Sequence, residues 1–286
     1  MRAWLELARV SNLPTCVSNV LVGTAIGSLT GEVAWQVVGA VTGAVVLLYV
    51  AGMALNDVVD QGIDRQERPE RPIPSGRISV GAATAFAVVC IVTALGLMAL
   101  AGSRALAVGA GLSVVIVAYD LVHKRVAVSS ALMGVCRGLV YLLAAVAVGW
   151  PLDATVTLTL VFAIGAYIAI VTMVARREAG PNLDRRSRWL SLVLPAVVLL
   201  PVFVIHPAVR AWSILAAIAV TVWLRAAARH ALARPPRTRS AVLRWLSGIC
   251  LVDGLYLTLL DHPGLALAAM GCFVITAAGH RRILGT

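Results

Sequence analysis

Carboxylates are scarce in this chain: 13 Asp and Glu stand against 24 Lys and Arg in 286 residues. Charged side chains of either sign reach only 13%, while hydrophobic ones make up 60% and the mean hydropathy is +0.92. A soluble globular domain carries about 25% charged residues, so that class is excluded. Cysteines are few, and all five (Cys16, Cys90, Cys136, Cys250, Cys272) fall inside apolar segments without paired metal spacing. They read as small buried side chains and imply neither disulfide nor zinc. The five histidines, at 123, 206, 230, 262 and 280, are too dispersed to form a metal set. No cleavable signal opens the sequence, since residues 1–9 form a short amphipathic lead-in followed by polar Ser11 and Asn12. No soluble stretch is long enough to fold separately.

Long apolar runs are what the chain has in abundance. A membrane-spanning helix needs roughly 20 residues, and ten candidates follow one another: 11–29, 35–56, 79–101, 104–120, 129–149, 154–174, 188–205, 208–228, 242–260 and 264–280. The expected architecture is an all-α, polytopic transmembrane helix bundle of nine to ten spans, occupying residues 1–286 as one integral membrane domain. All basic side chains except Arg104, Arg137 and Arg210 sit at the N-terminus, in every second loop, or at the C-terminus. By the positive-inside rule this places both termini and the arginine-bearing loops in the cytoplasm, as expected for a bacterial inner membrane. Ten spans satisfy that pattern, whereas nine would put Arg281 and Arg282 outside. The net charge of +11 therefore orients the protein in a lipid bilayer and needs no nucleic-acid partner.

Against the general scarcity, three acids fall within eight positions. Asp57, Asp60 and Asp64 are spaced three and four apart and project from one helix face. Like charges on one face repel unless a cation binds between them, and oxygen ligands suit Mg²⁺, which takes one or two carboxylates plus substrate phosphates. Asn56 can add an amide oxygen. The alternative is that these acids merely cap and solvate a helix end, but unpaired acids at a membrane edge are costly and usually functional. Arg65, Arg68, Arg71 and Arg77 follow at once, and guanidinium groups match phosphate geometry. Pro69, Pro72 and Pro74 exclude helix there and predict an extended segment that presents Arg68 and Arg71 toward the acids. The residues themselves point to a metal–diphosphate site at a membrane edge.

Three strings carry a resemblance: Asn56-Asp57-x-x-Asp60-x-x-x-Asp64, Arg68-Pro-x-Arg71-Pro-Ile-Pro-Ser-Gly76, and Tyr119-Asp-x-x-His-Lys124-Arg125, preceded by Arg9-x-x-Asn12-Leu-Pro14. In order and spacing they cover nearly the whole chain, which resembles the UbiA superfamily of intramembrane prenyltransferases. The resemblance implies a helical bundle around a central cavity open near the cytoplasmic side. It also implies Mg²⁺-dependent transfer of an isoprenyl chain from a prenyl diphosphate donor to a lipophilic, often aromatic, acceptor. Carried onto this chain, Asn56, Asp57, Asp60 and Asp64 are the first metal–diphosphate motif, with Asp57 and Asp60 catalytic. Arg68 and Arg71 are diphosphate contacts. Lys124, with Arg125, stabilises the leaving diphosphate, unless the pair is ordinary positive-inside charge.

The chain departs from the family after the sixth span. In place of a second aspartate-rich motif it has Ala175-Arg176-Arg177-Glu178-Ala-Gly180-Pro-Asn182-Leu-Asp184. Only Glu178 and Asp184 could take a second metal, and their spacing, broken by Gly180 and Pro181, is not a helical pair. Arg176 and Arg177 can neutralise phosphate directly instead. In this loop the chain resembles the divergent branch found in Ebo-type gene clusters.

Four further residues have two readings each. Arg137 lies inside a span, so it faces the cavity or pairs with Asp120 or Asp253. Asp253 either activates an acceptor hydroxyl or is that structural partner. Asn12 binds substrate or caps a helix. Tyr119 lies over a carbocation or belongs to an interfacial aromatic belt. Two other functions compete with prenyl transfer. A terpene cyclase would use the same ionisation without an acceptor, but benefits from aromatic faces, and only 7 Trp, 5 Tyr and 4 Phe occur here. A transporter would suit ten spans arranged as repeats, yet the acidic-plus-arginine string has no second copy.

Overall fold

The computed structural model describes residues 1–28, 32–122, 129–149, 153–176, 184–205, 211–233 and 236–282. Every regular element among them is helical. A short surface helix α1 (Arg2–Leu7) leads through a 3₁₀ turn (Val10–Asn12) into α2 (Leu13–Gly27). Then come α3 (Trp35–Val59), the short α4 (Gln61–Glu67), α5 (Val80–Leu100), α6 (Ser103–Val122) and α7 (Ser129–Val148). The second half holds α8 (Ala154–Ala175), α9 (Arg185–Val204), α10 (Ala211–Leu232), α11 (Thr238–Leu259) and α12 (Pro263–Arg282). All ten expected spans are present as helices, and the apolar runs set their lengths. Nine of the described helices are long and apolar enough to cross a membrane, while α2 has 15 residues. The protein is an integral membrane helix bundle.

Burial sorts the helices by position. α2 and α11 are the most enclosed, and the exposed large apolar side chains, such as Val89, Phe162 and Val222, belong to the outer helices. In lipid, exposed apolar side chains cost nothing, so packing relies on close backbone approach through small residues. α7 shows this on two sides. A methyl group at Gly27 of α2 would sit 2.5 Å from the Ala145 carbonyl oxygen of α7. One at Gly138 of α7 would sit 3.1 Å from the Val161 carbonyl oxygen of α8. α7 is thus clamped between α2 and α8, and it carries Arg137.

Helix ends follow local chemistry. Ser79, Asp153 and Asp184 cap α5, α8 and α9 by accepting from backbone N–H groups three residues on, at 3.2, 2.9 and 2.8 Å. The segment after α4 is the clearest departure from expectation. Residues 68–79 are not extended but wound into successive turns, with Ser75 N–H donating to the Arg71 carbonyl and Ile78 N–H to the Pro72 carbonyl, both at 3.0 Å. Proline's fixed φ suits turns as well as extended chain, and Gly76 takes a φ of +74° that lets the last turn close. Arg77 ties this coil to α1, its Nη1 donating to Glu6 Oε2 at 2.6 Å.

Candidate active site

The acid-rich stretch forms at the junction of α3 and α4. Asn56 and Asp57 end α3, Asp60 makes the turn, and Asp64 lies in α4. Helical bonding barely lapses there, since Asp60 N–H donates to Asn56 O and Asp64 N–H to Asp60 O, each at 2.9 Å. All three carboxylates are buried, at 3%, 6% and 3% exposure. Positive charge reaches them from two directions. Arg71 places Nη1 2.7 Å from Asp64 Oδ2 and 3.4 Å from Asp57 Oδ1. Arg9 places Nη2 3.1 Å from the same Asp57 oxygen. Its backbone is left-handed (φ 44°, ψ 51°), which costs a side-chain-bearing residue about 1–2 kcal/mol. That strain is held by the turn between α1 and the 3₁₀ segment.

Two cavities meet beside this junction. The polar one is a mouth lined by Arg9, Asn12, Arg68, Arg71 and Arg239, with Glu70 its acidic side chain. The other is an apolar chamber between α2, α3, α6 and α7, walled by Leu48, Met53, Leu112, Ile116 and Val140. Tyr119 and Met133 line both, so mouth and chamber are neighbours across one tyrosine. Asp57, Asp60 and Asp64 line neither cavity; Asp57 and Asp64 stand behind Arg9 and Arg71, which line the mouth. Asp120 reaches the chamber wall and accepts from Asn56 Nδ2 at 3.3 Å. Tyr119 lies within electrostatic range of Asp60, Asp120, Arg9 and Arg176.

Deeper in the bundle, Arg137 and Asp253 are linked, but not as an ion pair. Among the described residues Arg137 bridges to neither Asp253 nor Asp120. Its Nη1 donates to Asn19 Oδ1 at 2.6 Å and its Nη2 to Thr15 Oγ1 at 3.1 Å. Asn19 then donates Nδ2 to both oxygens of Asp253, at 3.0 and 2.8 Å. The amide stands between the charges and satisfies each with the matching half of its dipole. Asp253 is fully buried, also accepts from Ser18 Oγ at 2.5 Å and from the Tyr141 hydroxyl, and lines neither cavity. Arg137 does face the chamber, 6.0 Å from the Tyr49 ring centroid.

The remaining candidates are scattered. Arg176 donates to Ser129 Oγ at 2.8 Å, tying the end of α8 to the start of α7. Asp184 is exposed and caps α9. Lys124, Arg125, Arg177 and Glu178 lie outside the described residues. Asn12 starts α2 without a side-chain cap; its Oδ1 instead accepts from His280 Nε2 of α12 at 2.7 Å. Sequence reading did not single out Asn19, Tyr49 or Arg239. Asn19, a lone amide inside an apolar span, was the one with a readable signal.

Among the described residues no three His, Cys, Asp or Glu side chains converge on a common metal position. The donor set nonetheless suits Mg²⁺ of the kind that takes one or two carboxylates and completes its shell with phosphate and water. Buried acids here require compensating positive charge, and two guanidinium groups supply it at the oxygens of Asp57 and Asp64.

The profile of the UbiA prenyltransferase family matches residues 16–249. The chain belongs to that family. Its relatives include the digeranylgeranylglyceryl phosphate synthase of Natronomonas pharaonis, 33% identical over 198 residues, or 68% of this chain and 69% of that one. The enzyme of the same name from Methanopyrus kandleri is 38% identical over 120 residues, but the match spans only 43% of its length and 42% of this chain. Among solved structures, a UbiA homolog from Archaeoglobus fulgidus bound to GPP and Mg²⁺ superposes with a TM-score of 0.66. That likeness covers 91% of this chain and 99% of the other at 13% identity, and shows the UbiA fold.

Proposed function

We propose that this UbiA-family protein transfers an isoprenyl group from a prenyl diphosphate to a lipophilic acceptor within the membrane. One observation carries the reading: an arginine-lined mouth adjoins an apolar chamber at Tyr119, so one amphiphile can place a diphosphate head in the first and a hydrocarbon tail in the second. The relatives named as synthases of a prenylated lipid support the reaction class, and the Archaeoglobus fulgidus homolog holding GPP and Mg²⁺ supports the donor.

Arg9, Arg68, Arg71 and Arg239 bind the diphosphate oxygens by charge-assisted hydrogen bonds. Asp57 and Asp64 fix Arg9 and Arg71 in position, and with Asn56 and Asp60 they are the residues that would hold Mg²⁺. Bound there, the ion would neutralise charge growing on the diphosphate as the allylic C–O bond breaks. The family resemblance assigns Lys124 and Arg125 the role of adding positive charge to the diphosphate. The chamber walls exclude water, so the allylic centre meets an acceptor rather than hydroxide. Two rings, Tyr49 and Tyr119, face that space, fewer than a cyclase guiding a migrating cation would use. The positive-inside pattern supports a mouth on the cytoplasmic side of the membrane.

The test is to incubate purified protein and Mg²⁺ with farnesyl, geranylgeranyl and longer diphosphates, with and without membrane extract. Pyrophosphate release that depends on extract, with a prenylated product by mass spectrometry, is the expected result. Release giving a cyclised hydrocarbon from donor alone would replace transfer with cyclisation. Full turnover by Asp57→Ala or Asp60→Ala would defeat both.

A further inference from the structure

A second basic cavity lies beside the mouth. It is a cleft between the end of α10, the start of α11 and the end of α12, and its lining includes Trp223, Arg237, Arg239, Arg244, His280 and Arg281. No acidic side chain lines it, and among the described residues none of these four arginines forms a salt bridge. Guanidinium groups gathered without a carboxylate repel one another and are stabilised by an anion. The cleft is also built rather than incidental. The Arg244 guanidinium lies 5.6 Å from the Trp223 ring centroid, and Trp223 Nε1 donates to the Arg244 carbonyl at 2.7 Å. Arg237 N–H donates to the His230 carbonyl at 2.9 Å, which ties the start of α11 to α10.

The surroundings say which anion. α12 ends at this cleft, so its exposed Val274 and Ile275 (58% and 62%) lie about two turns deeper on its lipid-facing surface. A ligand that fills the cleft and follows these side chains has a charged phosphate above and hydrocarbon below. Basic pockets between transmembrane helices at a membrane face are suited to anionic lipid headgroups. We propose that this cleft is a binding site for the phosphate headgroup of an anionic membrane lipid, separate from the diphosphate mouth. Arg239 and Leu243 line both spaces, and His280 bonds to Asn12 of the mouth, so a lipid held here buttresses the wall of the active site.

Native mass spectrometry of the full-length protein with equimolar phosphatidylglycerol and phosphatidylcholine tests this. Phosphatidylglycerol should be retained at least tenfold over phosphatidylcholine. Arg237→Gln/Arg281→Gln, which touches only this cleft, should bring the two lipids to parity without changing the melting temperature. Arg237→Lys/Arg281→Lys should keep most of the preference, which separates lost charge from lost structure. Equal retention of both lipids by the unmodified protein, or an unchanged preference in the glutamine variant, would overturn the proposal. So would equal binding of inorganic phosphate or pyrophosphate, which would make the cleft a site for free anions. Pyrophosphate release from prenyl diphosphates is read separately, so failure here leaves the transferase reading standing, and the reverse.

Discussion

Arg71 lies 2.7 Å from Asp64, and both side chains are buried, at 7% and 3% exposure. A pair withdrawn from solvent in this way is costly to break from one side, because the partner is left as an uncompensated charge; such losses run to about 3–5 kcal/mol. Arg71→Ala should therefore lower the melting temperature strongly in detergent, and Arg71→Ala/Asp64→Asn should recover part of the loss. Pyrophosphate release should stay low in both, since the double variant restores neutrality but not the phosphate contact. Recovery of turnover in the double variant would show that Arg71 serves structure alone.

Arg9 offers a different separation. Its left-handed backbone favours glycine, so Arg9→Gly relieves strain while removing the guanidinium from Asp57 and from the mouth. The expected result is a prenyl-diphosphate KM raised tenfold or more with little loss of melting temperature. Steady-state kinetics with the donor varied and acceptor saturating would read it. An unchanged KM would place Arg9 outside the donor site.

Arg137 borders the apolar chamber and is held by hydrogen bonds to Asn19 and Thr15. Removing one partner of such a buried network leaves polar atoms unpaired. Arg137→Met strands Asn19 Oδ1 and Thr15 Oγ1, so it should lower the melting temperature and, because the guanidinium faces the chamber, lower turnover at least tenfold as well. Asp253→Leu should lower stability but leave the turnover of the folded fraction nearly unchanged, since Asp253 lines neither cavity. It strands the polar atoms of Ser18, Asn19 and Tyr141, each costing about 1–3 kcal/mol. Paired thermal melts and turnover assays on the two variants decide this.

Chamber size should set donor length. Val140 lines the chamber, and Val140→Trp would fill part of it. The longest donor turned over should shorten by at least one isoprene unit, while the KM for shorter donors stays within about twofold, a free-energy difference under 0.5 kcal/mol. Product length by mass spectrometry across a donor series measures the shift.

The α1 lash carries a pH dependence. Hydrogen bonds from Arg77 and Arg2 hold Glu6 below its ordinary value of 4.5. A depressed carboxyl contributes stability above that ordinary value and loses it as pH falls through the lowered one. The pair is exposed, so the effect on global stability is small. Local protection should report it instead: proteolysis near α1 should rise only in strong acid, and Glu6→Gln should show the same rise at neutral pH.

Much of the architecture could be read from the chain because lipid imposes length and polarity on every span. The ten helices fall where uninterrupted apolar runs reach spanning length, and the acids at 57, 60 and 64 are buried together. What stayed illegible was adjacency across long separations. Asn19 joins Arg137 and Asp253 over 118 and 234 residues, and no local pattern announces an amide interposed between two charges. The proline string failed for another reason: the same fixed φ serves turns and extended chain, and only the carbonyls accepting from Ser75 and Ile78 decide between them.

The Asn12–His280 hydrogen bond fastens the first long helix to the last. α2 also packs against both α11 and α12, so the two ends of the chain share one wall of the bundle. A fusion or truncation at the carboxyl end would therefore be felt at Asn12 in the mouth, although α12 contributes no side chain to its rim.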